Sequence, residues 1–203
     1  MPQPVLDFLS NLAKVTITLF IVLDPIGLTP FLYTVIAGKS FAQSRRIIYR
    51  VTGSATVLLL FFTATGTWVL RFFGVTLEDL QISGGLLLVI ISVQIVVGGA
   101  QAGENEREQQ SVSETPLISP LLIGPGAITA AVVLAADYGI SITAVGAVLA
   151  MLVSLLVFLA TGYLRRLIGR SGTDLIRRIF GVLIAAVGIS YMRVGLTTLI
   201  THR

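Results

Sequence analysis

Apolar residues fall along this chain in long blocks, each broken only by short polar stretches. Six such blocks can be read: about Val5 to Ala37, Val51–Leu70, Leu80–Val97, Thr115–Ala136, Ile140–Leu164 and about Leu175–Ile200. Within a block the apolar residues cover every helical face and do not alternate. Period-2 alternation over about ten residues is what a membrane strand needs. Helices are therefore predicted, and a bilayer core of ~30 Å takes roughly 20 apolar residues per helix. The pattern predicts an all-α integral membrane protein with six transmembrane helices. No basic cluster precedes the first block and no small-residue cleavage pattern stands before Asp24, so that block reads as a span.

Composition agrees. The 203 residues are 55% hydrophobic and only 12% charged, about half the charged share of a soluble domain. A soluble enzyme and a disordered chain are both excluded on that ground. Cysteine is absent and there is one histidine, His202, so the sequence offers neither a thiolate nucleophile nor a His-based metal site. No catalytic residue and no cofactor are expected. The net charge of +4 reads as arginines at helix ends rather than as a nucleic-acid surface.

The basic residues also set an orientation. Lys39, Arg45, Arg46, Arg50, Arg107, Arg165, Arg166, Arg170, Arg177 and Arg178 fall on one side; Lys14, Arg71, Arg193 and Arg203 fall on the other. The richer side is expected to be cytoplasmic, with both termini outside an inner (plasma) membrane. Trp68 and Tyr191 fit interfacial anchors.

The chain repeats itself. Leu23-Asp24-Pro25-Ile26-Gly27-Leu28-Thr29 aligns with Ile123-Gly124-Pro125-Gly126-Ala127-Ile128-Thr129 at an offset of 100 residues. Ala64-Thr65-Gly66 aligns with Ala160-Thr161-Gly162 at 96, and Ile82, Gly84, Leu86 and Gly98 align with Ile179, Gly181, Leu183 and Gly195 at 97. Three helices thus match three helices in order. Three is odd, so the second set must cross the membrane in the opposite sense, as in many secondary transporters. The expected organisation is a first repeat over 1–100, an acidic cytoplasmic linker over 101–114, and a second repeat over 115–203.

Helices one and four are interrupted at matching places, at Asp24-Pro25-Ile26-Gly27 with Pro30, and at Pro116, Pro120 and Gly124-Pro125-Gly126. Proline removes a backbone donor and clashes with the preceding turn, and glycine permits the loosened backbone. Pro25 and Pro125 each suit the first position of a new half-helix. Two opposed half-helix N-termini, each with free N–H groups and about half a positive charge, suit a carboxylate. The candidate substrate-binding residues are Asp24, Gly27, Thr29, Gly124, Gly126 and Thr129. Asp24 is both a good N-cap and an intramembrane acid, so cap and charge roles stand side by side. The threonine hydroxyls could meet a ligand or bond back to their own helices. Gly84-Gly85, Gly98-Gly99, Gly181 and Gly188 read as helix-packing positions.

These motifs carry a resemblance. Asp24-Pro25-Ile26-Gly27 with Pro30, Pro116-Leu-Ile-Ser-Pro120-Leu-Leu-Ile-Gly124-Pro125-Gly126-Ala-Ile128, Ile82-Ser-Gly-Gly-Leu-Leu-Leu and Arg178-Ile-Phe-Gly181 look like the bacterial and archaeal MarC family, over nearly the whole chain. The resemblance implies six inner-membrane helices and kinship with transporters of small neutral amino acids such as alanine and glycine. Two positions depart from the family pattern, both bearing on pocket size: Ile123 before Gly-Pro-Gly, and Leu28-Thr29 before Pro30.

The expectation is a secondary transporter working by alternating access. Its partners would be a small neutral amino acid, the lipid bilayer and a coupling proton or sodium ion. The amino acid carboxylate would meet Gly27–Thr29 and Gly126–Thr129, and Asp24 would face the ammonium group or carry the proton. A membrane scaffold or sensor without flux, and a channel for an ion or small uncharged solute, are the alternatives. The sequence sets no oligomeric state.

Overall fold

The computed structural model describes residues 3–108 and 123–201, and the described residues contain seven helices and no strand. They are α1 (Gln3–Leu23), α2 (Pro25–Ile36), α3 (Phe41–Phe73), α4 (Leu77–Glu108), α5 (Pro125–Tyr138), α6 (Ile140–Leu159) and α7 (Thr161–Thr201). Five stretches are long and apolar enough to cross a membrane: Val5–Tyr33, Phe41–Phe73, Leu77–Val97, Ile140–Leu159 and Asp174–Thr201. The first combines α1 and α2. α5 is a shorter apolar helix. The apolar segment expected over Thr115–Ala136 is described only from Ile123 onward; Pro116 and Pro120 lie outside the described residues, as do positions 109–114 of the expected linker.

Three helices run well past their apolar blocks; α7 begins at Thr161 rather than near Leu175, and α6 ends at Leu159, short of the expected Leu164. α3 begins at Phe41 and not near Val51, because Ser40 caps it. The Ser40 Oγ accepts from the Gln43 N–H at 3.3 Å, and the Ser40 N–H donates to Gln43 Oε1 at 3.0 Å. This reciprocal box satisfies two backbone donors and nucleates a turn that no apolar pattern marks. The other end of α3 stops at Gly74, whose φ of 68° is left-handed and cheap only for glycine. α4 continues to Glu108, into the acidic segment.

The core is built from close helix approaches through glycine. α4 and α7 run antiparallel: Gly195 of α7 lies against Glu78 and Ile82, Gly188 against Gly85 and Leu88, and Gly181 against Ile95 and Val96. These three glycines of α7 recur every seven residues and so share one face. The Gly84-Gly85 pair divides its work. Gly85 meets α7 at the Gly188 carbonyl, while Gly84 meets Thr129 of α5. Gly66 of α3 likewise admits Val132 of α5, and Gly146 of α6 admits Val15 of α1. Without an inward hydrophobic force in lipid, such backbone proximity is what holds membrane helices together.

Buried hydroxyls in this core mostly bond back to their own helices. Thr63 donates to Leu59 O and Ser154 to Ala150 O, both at 2.8 Å, and Ser92 donates to Val89 O at 2.7 Å. These bonds meet the requirement that polar groups in lipid be satisfied internally.

Glycine substitutions should therefore split in sign. A Cβ at Gly188 would lie 2.6 Å from the Gly85 carbonyl oxygen and 3.0 Å from Leu88 Cβ. Backbone cannot step aside, so Gly188→Ala is expected to cost ~1–3 kcal/mol. Gly53 on α3 has open space around it, so Gly53→Ala should gain up to about 1 kcal/mol from helix propensity. Thermal unfolding in detergent reads both signs; equal effects at the two sites would contradict the packing described.

Candidate functional site

The break in the first span is built by three residues. Asp24 follows α1 with φ 42° and ψ 55°, the one non-glycine residue with positive φ among those described. Asp and Asn tolerate this left-handed conformation better than other side-chain-bearing residues. The Asp24 backbone still serves both helices, since its N–H donates to Ile21 O and its carbonyl accepts from the Leu28 N–H, each at 3.1 Å. Its carboxylate Oδ1 accepts from the Gly27 N–H at 3.0 Å. Gly27 has no side chain for a steric reason: a Cβ there would run into the Asp24 carboxylate. Pro25 then starts α2 with the right φ and no N–H to orphan. Asp24 and Pro25 are both buried.

The start of α5 is similar in sequence and different in character. Gly124 is its N-cap in an ordinary extended conformation and offers no side-chain cap, and Pro125 is the first helical residue. The Ala127 and Ile128 N–H groups both reach back to Gly124 O, at 3.0 and 3.3 Å. Among the described residues nothing lies within 4 Å of a Cβ placed on Gly124, and Pro125 is exposed, whereas Gly126 is buried. One half-helix start is thus closed by a carboxylate, and the other is left without one.

The six sequence-derived candidates fall into two neighbouring groups. Asp24, Gly27 and Thr29 lie on the first turns of α2, with the Thr29 hydroxyl donating to Ile26 O at 2.7 Å. Gly124, Gly126 and Thr129 lie on the first turns of α5. The second group packs on α4 and approaches the first through α1. A Cβ on Gly126 would stand 2.5 Å from Leu88 Cδ2 and 3.8 Å from Val22 Cγ1, two residues before Asp24. Thr129 lies against Gly84, about one turn along α4 from Leu88. Ile123, the departure noted before the Gly-Pro-Gly, is buried beside this region.

The structure adds residues that the sequence reading did not place here. Phe20 of α1 packs edge-on against Phe180 of α7, with ring centroids 6.0 Å apart. That contact brings the start of the last span to the break, and the Arg177 guanidinium lies within electrostatic reach of Asp24. Arg177 was counted with the cytoplasmic basic residues at the start of the last span; only the helix crossing brings it near Asp24. Among the described residues three buried hydroxyls, of Thr52 on α3, Thr143 on α6 and Tyr191 on α7, have no hydrogen-bond partner. Tyr191 corrects an expectation. It is only 9% exposed, with its hydroxyl buried among protein atoms, so it is not an interfacial anchor. It shares the α7 stripe that faces α4, a pattern legible at three- and four-residue spacing from Gly188 and Gly195. Trp68, by contrast, is exposed.

Comparison with known proteins settles the family. The MarC family integral membrane protein pattern matches residues 9–200. The chain belongs to the MarC family. A UPF0056 membrane protein of Archaeoglobus fulgidus is 36% identical to this MarC family chain over 189 residues, covering 88% of it and 89% of the relative. A second, from Methanocaldococcus jannaschii, is 30% identical over 189 residues, covering 88% and 92%. The Escherichia coli membrane protein YhcE is 28% identical over 196 residues, covering 90% of each chain. No solved structure matches this MarC family member. It is a multi-pass integral membrane protein, as the resemblance implied.

Proposed function

We propose that this MarC family protein is a secondary transporter of small neutral amino acids such as alanine and glycine, working by alternating access. The observation that carries the reading is the pairing of two proline-led half-helix starts of complementary character inside one apolar bundle. Among the described residues no side chain caps the N-terminus of α5, which suits an anionic group. α2 begins with a buried carboxylate, which suits a cationic one. A zwitterion presents both. The carboxylate of the substrate meets α5 near Gly126 and Thr129, while Asp24 faces the ammonium group or carries a coupling proton. Gly27 and Thr29 serve this site indirectly, because their N–H and hydroxyl are already committed to Asp24 and Ile26. Gly124, with nothing close to it among the described residues, leaves room for a small substrate at the start of α5, while Leu88 fills the space beside Gly126.

Six spans in two inverted three-helix repeats, 1–100 and 115–203, belong to the same reading, with 101–114 as the connecting linker on the cytoplasmic side. Its support lies in how the helices exchange partners. α3 packs on α5 as α6 packs on α2, and α4 packs on α5 as α7 packs on α2. The corresponding helices α4 and α7 cross antiparallel, as two copies related by an axis in the membrane plane would.

Purified protein in liposomes should take up labelled alanine or glycine with saturation. A scaffold or sensor gives no uptake, and a channel gives uptake that does not saturate. The orientation has its own test, since the chain has no cysteine to remove. A cysteine at position 40 should be labelled by a membrane-impermeant maleimide only after the cells are opened, and one at position 74 in intact cells. The reverse result would invert the topology.

A further inference from the structure

We propose that the N-terminal turns of α3 form a binding site for an anionic phospholipid headgroup. α3 has 33 residues, about 50 Å at 1.5 Å per residue, against a hydrocarbon core of ~30 Å. Its exposed aromatics fix where the excess lies. Trp68 is 68% exposed, next to Phe72 and Phe73, and marks one interface. Tyr49 is 45% exposed and stands 19 residues earlier, about 29 Å along the axis. That separation matches the core thickness, so Tyr49 marks the other interface. The turns before it, from the Ser40 cap onward, therefore lie at headgroup level.

This protruding segment is strongly cationic and has no internal counter-charge. Lys39, Arg45, Arg46 and Arg50 fall within 12 residues, all exposed, and no Asp or Glu occurs anywhere between Asp24 and Glu78. Arg45 is held in place on one side of the helix. Its guanidinium lies 5.6 Å from the Phe41 ring and 5.7 Å from the Tyr49 ring, and it donates to the Tyr49 hydroxyl at 3.0 Å. Arg46 and Arg50 are one turn apart on a shared exposed face. A phosphodiester between them would receive two guanidinium groups, with its acyl chains running down the exposed apolar surface of Val57 and Phe61. Phe41, 78% exposed, would sit among the headgroups beside it. The site is independent of the transport reading, since it lies at the bundle's edge and shares no residue with the break.

The test uses the full chain in neutral detergent, with dioleoylphosphatidylglycerol titrated in and bound lipid counted by native mass spectrometry. The first bound molecule should hold tighter than dioleoylphosphatidylcholine. Each basic residue near an anionic lipid surface is worth about five-fold in affinity, so Arg46→Gln with Arg50→Gln should weaken binding about 25-fold. Arg193→Gln, at the far end of α7, should leave it unchanged. The double Arg→Lys variant should keep most of the affinity, which separates charge loss from misfolding. Inorganic phosphate at the same concentration should not displace the lipid. Wild-type affinity in the double Gln variant, equal binding of phosphatidylcholine, or displacement by phosphate alone would each overturn the site.

Discussion

Replacing Asp24 with asparagine should leave the protein folded and remove at least nine-tenths of its amino acid flux, about 1.4 kcal/mol or more of lost driving interaction. The conformation at this position makes the comparison clean. Asn caps a helix about as well as Asp and tolerates the left-handed backbone that Asp24 adopts, so its thermal stability should stay within ~0.5 kcal/mol of the parent. Glycine keeps the backbone at ease and loses the cap for only a few tenths of a kcal/mol. Alanine loses both: ~1 kcal/mol for the cap and a further ~1–2 kcal/mol for the left-handed conformation. The expected stability order is Asp, Asn, Gly, Ala. The flux order is different, with all three variants low, because each lacks the charge and the titratable proton. Flux that follows the stability order instead would make Asp24 a cap alone.

The second large effect concerns Gly126. Gly126→Val should abolish transport, and the structure supplies the companion change that separates packing from function. A Cβ at Gly126 meets Leu88, which is 1% exposed and cannot turn away into lipid, so the single variant should lose ~1–3 kcal/mol of stability. Leu88→Ala alone leaves a hole and should cost ~2–5 kcal/mol. Combined, the swap moves three carbons from one helix to its neighbour and nearly conserves volume. The double variant should be more stable than the two single costs predict together. Its flux should stay absent, because a branched side chain still covers the uncapped start of α5. Recovery of flux in the double variant would assign Gly126 to packing only.

How much of this was legible in the sequence depends on the range of the interaction. The break at Asp24-Pro25 was legible because its causes are local: a proline, an N-capping acid and a glycine within four residues. The role of Gly27 was only half legible. Its presence in the motif suggested backbone close to a ligand, whereas the carboxylate three residues earlier occupies that space. The packing roles of Gly84, Gly85, Gly181 and Gly188 followed from residue type, but not the division of the Gly84-Gly85 pair between α5 and α7, which needs the crossing geometry. The early start of α3 was written in Ser40 and Gln43 and was obscured by reading apolar runs alone. Arg177 near Asp24 and the burial of Tyr191 arise from contacts more than 50 residues apart in sequence, beyond any local pattern.

The central claim is that the paired half-helix starts form one carrier site for a zwitterion. Counterflow tests it most directly. Liposomes carrying the purified protein are loaded with unlabelled alanine and diluted into a trace of labelled alanine, with no ion gradient imposed. A carrier must exchange one molecule for another through a single alternating site, so label should accumulate transiently above its external concentration. The overshoot should vanish with Gly126→Val and Leu88→Ala combined. Label that only equilibrates, or never enters while the protein remains folded, would contradict the account.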